Sequence, residues 1–110
     1  MKRPAPLRAS LIALFSIAAG MTVPGAARAA DAEHGGEMAQ RWCASCHIVS
    51  EDQKNGSTQA PPFSAIAKRP RFDANRLAYF LLAPHPKMPD MNLSRSEASD
   101  LAAYIATQKK

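Results

Sequence analysis

Two cysteines in 110 residues are too few for a disulfide-dense scaffold. No apolar run reaches the roughly 18 residues that mark a membrane-spanning helix. There is no repeat array, and no Gly-rich phosphate loop of either common type. Nothing alternates polar and apolar residues with period two for long enough to make a strand. A chain of 110 residues holds one small domain and excludes large catalytic architectures. What is present is 46% hydrophobic residues, too many for a disordered tail.

The first thirty residues read as an address. Lys2, Arg3 and Arg8 form a positive start, Leu11 to Met21 an apolar stretch, and Ala27-Arg28-Ala29 a small-residue cleavage signal. Cleavage is expected after Ala29, with Ala30 the next candidate and an uncleaved anchor the alternative. This divides the chain into a secretory signal, 1–29, and a mature domain, 30–110. The charge changes with it. Of 14 basic residues, four (Lys2, Arg3, Arg8, Arg28) leave and 10 remain against 9 acidic ones, so the domain is near +1. A nucleic-acid-binding reading loses its support. Export to the periplasm puts the two cysteines in an oxidising compartment, where a disulfide is the usual outcome.

The mature part reads as all-α. Asp31 to Arg41 suits a helix with acidic residues at its start, locally weakened by Gly35-Gly36. Ser50 to Gln59 is a polar surface loop, followed by the extended turn Pro61-Pro62. Phe63, Ile66 and Ala67 fall at i, i+3, i+4 and predict one or two helical turns. Asp73 is a candidate N-cap for a helix with Leu77, Phe80 and Leu81 on its stripe, Phe72 and Leu77 its staple and Pro84 its end. Ser94-x-x-Glu97 is a capping box opening a last helix with Leu101, Tyr104 and Ile105 on one face. Phe63, Ile66, Phe72, Leu77, Tyr79, Phe80, Leu81, Leu101 and Tyr104 are expected to line helix interfaces or a cofactor pocket. Short helices in so small a domain make a marginal core that needs a staple.

Cys43-Ala44-Ser45-Cys46-His47 offers one. C-x-x-C-H is the attachment motif for c-type haem. Each thiol adds across one haem vinyl group to leave a thioether. Two intervening residues bring both sulfurs to one edge of the macrocycle. His47 then stands under the iron as its proximal axial ligand. A thioredoxin-like dithiol would sit near a βαβ pattern, and none is visible. A zinc site needs about four ligands, and the isolated His34 and His85 do not complete one. The sixth ligand comes from later in the chain, with Met88, Met91 and His85 as candidates. His34 and His85 otherwise read as exposed.

From about Gly35 to Lys109 the chain resembles a class I monohaem bacterial cytochrome c. The resemblance rests on Cys43-x-x-Cys46-His47, Met88-Pro89 and Leu101-x-x-Tyr104-Ile105. It implies three or four short helices around one covalently attached haem. It implies Met88, followed by proline just before the last helix, as the distal ligand rather than Met91 or His85. Pro61 matches the family proline whose carbonyl accepts from the proximal imidazole, with Pro62 the neighbouring alternative. Gly35 matches a glycine at a close crossing of the first and last helices. The family aromatic four residues before the first cysteine is replaced by Ala39, and the stretch from His47 to Met88 is short.

Histidine–methionine ligation closes both axial positions and suits an electron carrier rather than oxygen activation. The expected function is a periplasmic one-electron carrier, not an enzyme. Its partners would be a dehydrogenase or quinol-oxidising complex as donor and an oxidase or reductase as acceptor. The alternatives are a haem c subunit of a periplasmic oxidoreductase, a haem-based gas sensor or weak peroxidase, and a haem-free dithiol oxidoreductase. Lys68, Arg69, Arg71, Arg76 and Lys87 flank the expected pocket, either as a face steering an acidic partner or as an ordinary solvated face.

Overall fold

The computed structural model describes residues 1–5, 28–57, 60–83 and 86–110. The apolar stretch of the expected leader, Ala27, Pro84 and His85 lie outside the described residues. Among the described residues there are four α-helices and no strand: α1 Ala32–Met38, α2 Phe63–Ala67, α3 Ala74–Leu82 and α4 Arg95–Thr107. A π-helical turn, Ala39–Cys43, follows α1 directly. The all-α architecture is the one the sequence predicts. No helix among the described residues is long and apolar enough to cross a membrane.

The helix starts are set locally. The Asp31 carboxylate accepts from the Glu33 and His34 N–H groups, and the Asp73 carboxylate accepts from Arg76 N–H. Ser94 and Glu97 make both reciprocal bonds of the capping box. The expected first helix to Arg41 is divided: at Ala39 the ladder widens, and Ala44 N–H reaches Ala39 O at 3.1 Å. Lys109 and Lys110 lie beyond α4, whose C-cap is Gln108.

α4 is the hub, packing against α1, α2 and α3. Leu101 and Ile105 enter the main core with Met38, Ala39, Val49, Phe63 and Ala67. One side of that stripe, Ala98 and Ala102 meet Ala78 of α3, small residues that let two helices approach closely. Tyr79 and Phe80, 76% and 54% exposed, take no place at a helix interface. On α3 the interface is taken by Ala78 with the half-buried Ala74, Leu77, Leu81 and Leu82, which turns Tyr79 outward.

Gly35 and Gly36 are buried between α1 and α4. A methyl group on Gly35 would stand 2.5 Å from the Asp100 carbonyl carbon and 2.9 Å from Leu101 N. Gly35 therefore permits contact with the α4 backbone, and Gly36 with the Tyr104 ring, which matters more than their weak helix propensity. Asp100 secures the same junction. Its carboxylate, 5% exposed as a residue, accepts from Asp31 N–H at 2.7 Å and meets His34 Nδ1 at 2.8 Å. His34 is thus half-exposed but tied, where the sequence suggested a free surface histidine. Its bond to Asp100 raises its pKa. Burial pushes the Asp100 carboxyl up, but the bonds from Asp31 and His34 outweigh it and the net shift is downward.

Candidate functional site

The π-helical turn delivers Cys43 at the edge of the core, and a last tight turn carries the chain on to His47. The Cys46 and His47 N–H groups both donate to Cys43 O, at 3.1 and 2.9 Å. The two cysteines are free thiols one turn apart, Cys43 half-buried and Cys46 exposed. Burial, and then the neighbouring Cys46, push the Cys43 thiol up to about 11, so it is a neutral thiol at neutral pH.

His47 is held through its ring. Nδ1 lies 2.7 Å from Pro61 O. A carbonyl only accepts, so Nδ1 is the donor, which leaves Nε2 as the ring nitrogen available to a metal. The Phe63 ring packs beside it, centroids 5.4 Å apart, and Tyr104 meets Phe63 edge-on at 6.3 Å. Tyr104 Oη donates to Val49 O at 2.8 Å, which ties the loop after His47 to α4. Phe63 N–H donates to Ile48 O at 2.9 Å, so α2 begins against the same loop.

Met88 lies on the segment between α3 and α4 and is half-buried, as is Met91; burial alone does not separate them. Pro89 is exposed. Lys68, Arg69, Arg71, Arg76 and Lys87 are all exposed. The side chains that sequence reasoning missed are Gln53, read only as part of a polar loop, and the Tyr104 hydroxyl, read only as part of an apolar face. Neither has a spacing signal, because each acts on backbone groups distant in sequence or inside a loop.

Two thiols one turn apart and an imidazole with one nitrogen engaged and the other left over fit covalent haem, and the half-buried Met88 and Met91 offer soft sulfur of the kind that suits its iron. Comparison with known proteins points the same way. The family model for cytochrome c matches residues 32–109. Cytochrome c-552 of Bradyrhizobium diazoefficiens is 56% identical over 81 residues, covering 74% of this chain and 78% of that protein. No solved structure matches the chain.

Proposed function

The chain belongs to the cytochrome c family and is a haem c electron carrier, and from that premise we propose that it works in the periplasm with its haem iron held between His47 and Met88. Cys43 and Cys46 form the two thioethers. The Pro61 carbonyl fixes the tautomer and rotation of the His47 ring and raises its basicity toward the metal. Met88 supplies a soft sulfur that favours the reduced state. The bound haem supplies a one-electron couple. His47 and Met88 would both hold the iron with the chain's own side chains, which favours a carrier over an enzyme. Residues 1–29 act as the export signal and are removed. The exposed Lys68, Arg69, Arg71, Arg76 and Lys87 give an acidic donor or acceptor protein a complementary face.

The observation that carries this reading is the His47 Nδ1–Pro61 O bond beside two free thiols. It leaves one imidazole nitrogen for iron on the turn that bears both attachment sulfurs. The test is protein made with haem-maturation machinery. Its intact mass is expected to equal residues 30–110 plus one haem. The ferric protein is expected to show the methionine-to-iron charge-transfer band in the far red, lost in Met88→Ala and kept in Met91→Ala. Persistence of the band in Met88→Ala would overturn the ligand assignment, and a mass without haem would overturn the whole reading.

A further inference from the structure

The Gln53 side chain makes more hydrogen bonds than its place in a polar loop suggests. Its Oε1 accepts from Val49 N–H at 2.8 Å. Its Nε2 donates to Ala44 O at 3.0 Å, His47 O at 2.9 Å and Asn55 O at 2.8 Å. The amide orientation follows from the partners. An N–H can only donate and a carbonyl can only accept, so the oxygen must face Val49 and the nitrogen the three carbonyls. Two amide hydrogens serve three acceptors, so one is shared.

The position of those acceptors matters. A helix end leaves carbonyls without partners, and Ala44 O and His47 O belong to the turn that ends the helical run begun at Ala32. Gln53 satisfies both from outside. The Val49 N–H is equally in need, since Val49 is only 1% exposed and water cannot replace the lost acceptor. Gln53 itself is seated by its N–H to Ser50 O, at 3.3 Å. One side chain thus joins the cysteine-bearing turn, the residue after Ile48 and the far side of the 50–57 loop.

His47 then has two kinds of tether. Pro61 sets the rotation of the ring, while Gln53 holds the backbone carbonyl from which the side chain springs. We infer that Gln53 is a positioning residue for His47, setting the direction in which its free ring nitrogen meets the haem iron. This rests on His47 being the axial ligand. Without Gln53 the ring keeps its bond to Pro61, but its backbone pivot is released and the imidazole can tilt.

The test uses the haem-loaded protein and two variants. Gln53→Met keeps the length and removes every bond. Gln53→Glu adds a switch: the neutral acid keeps an acceptor for Val49 N–H and one of the amide's two donors, whereas the carboxylate turns negative oxygens toward three carbonyls. Intact mass first establishes one covalent haem in the parent; its absence would overturn the site reading itself before any variant is compared. In Gln53→Met the Val49 amide is expected to exchange about tenfold faster or more. The hyperfine-shifted His47 ring resonances of the ferric protein and its reduction potential are expected to move with it. In Gln53→Glu those resonances are expected to lie near the parent's positions below about pH 4 and to depart as the introduced carboxyl ionises. Faster Val49 exchange with unmoved His47 resonances and potential would reduce Gln53 to a loop brace and overturn the inference. So would a Gln53→Glu protein whose His47 signals ignore pH.

Discussion

Gly35→Ala separates two opposed effects at one carbon. Alanine in place of glycine inside a helix favours folding by about 1 kcal/mol. Here the added methyl would lie 2.5 Å from the Asp100 carbonyl carbon, with its oxygen closer still, and 2.9 Å from Leu101 N. Comfortable carbon–carbon contact begins near 3.5 Å, so α1 and α4 must part by about 1 Å. The obstacle is the α4 backbone, which cannot swing aside as a side chain can. Overpacking of this kind costs typically about 1–3 kcal/mol, and this case belongs at the upper end or beyond. Parting the helices also stretches the Asp31–Asp100 and His34–Asp100 bonds. The net expectation is a loss of about 2–3 kcal/mol, a large share of the roughly 5–15 kcal/mol that holds a domain together. In urea unfolding of the haem-loaded protein this lowers the midpoint by roughly 1–2 M at an unchanged slope. Gly36→Ala is the control. Its methyl would meet the Tyr104 ring at 2.9 Å, and that ring can tilt at the cost of its bond to Val49 O. A smaller loss is expected there. A Gly35→Ala protein as stable as its parent, or less affected than Gly36→Ala, would refute the account of the α1–α4 junction.

The same junction makes stability depend on pH. The raised His34 pKa means that its contribution is complete below about pH 6.5 and fades as pH rises through the higher folded value. The lowered Asp100 pKa means that its contribution is present above about pH 4 and is lost only as pH falls through the depressed value. The two together favour mildly acidic pH, so His34→Ala is expected to lower the urea midpoint more at pH 5.5 than at pH 9; an equal gap at both would show that protonated His34 contributes nothing. Removal of the cofactor is expected to be worse than any of these substitutions. Burying roughly 300–400 Å² of porphyrin contributes about 8–10 kcal/mol, comparable with a whole domain's stability, so the haem-free chain should lose most of its far-UV helical signal. Full helicity without haem would contradict that.

What was legible in the sequence was what neighbours decide. A cap acts within three residues, so Asp73 and Ser94 could be read from their own surroundings, as could the short run from Phe63 to Ala67. The C-x-x-C-H spacing is also local, and it names the chemistry by itself. The helix junction was only half legible. Gly35 reads by itself as a weak point in a helix, and only the resemblance to a family supplied the crossing it permits. Nothing adjacent in sequence announces that Asp100 receives two bonds from residues 66 and 69 positions earlier. Tyr79 is illegible for the opposite reason: its apolarity does not say which neighbour it meets, and α3 fills its interface with alanines and leucines and leaves the tyrosine out of it.

The site shows the same division on a smaller scale. Five consecutive residues state which atoms react, since two thiols and an imidazole at that spacing have few other uses. They do not state what keeps those atoms still. Among the described residues, the hydrogen bonds that tie the turn from Cys43 to His47 to side chains or carbonyls beyond its own helical run come from downstream: the Pro61 carbonyl on the imidazole and the Gln53 amide on Ala44 and His47. The Tyr104 hydroxyl holds the next residue but one, Val49. A motif scan sees none of the three, because a proline, a glutamine and a tyrosine in those places are each compatible with an ordinary turn, loop or helix. An imidazole held by a loop that is itself tied to α4 is coupled to the packing of the whole domain. Loosening the α1–α4 junction at Gly35 should therefore reach His47 through Tyr104 and Val49, with no residue of the motif altered.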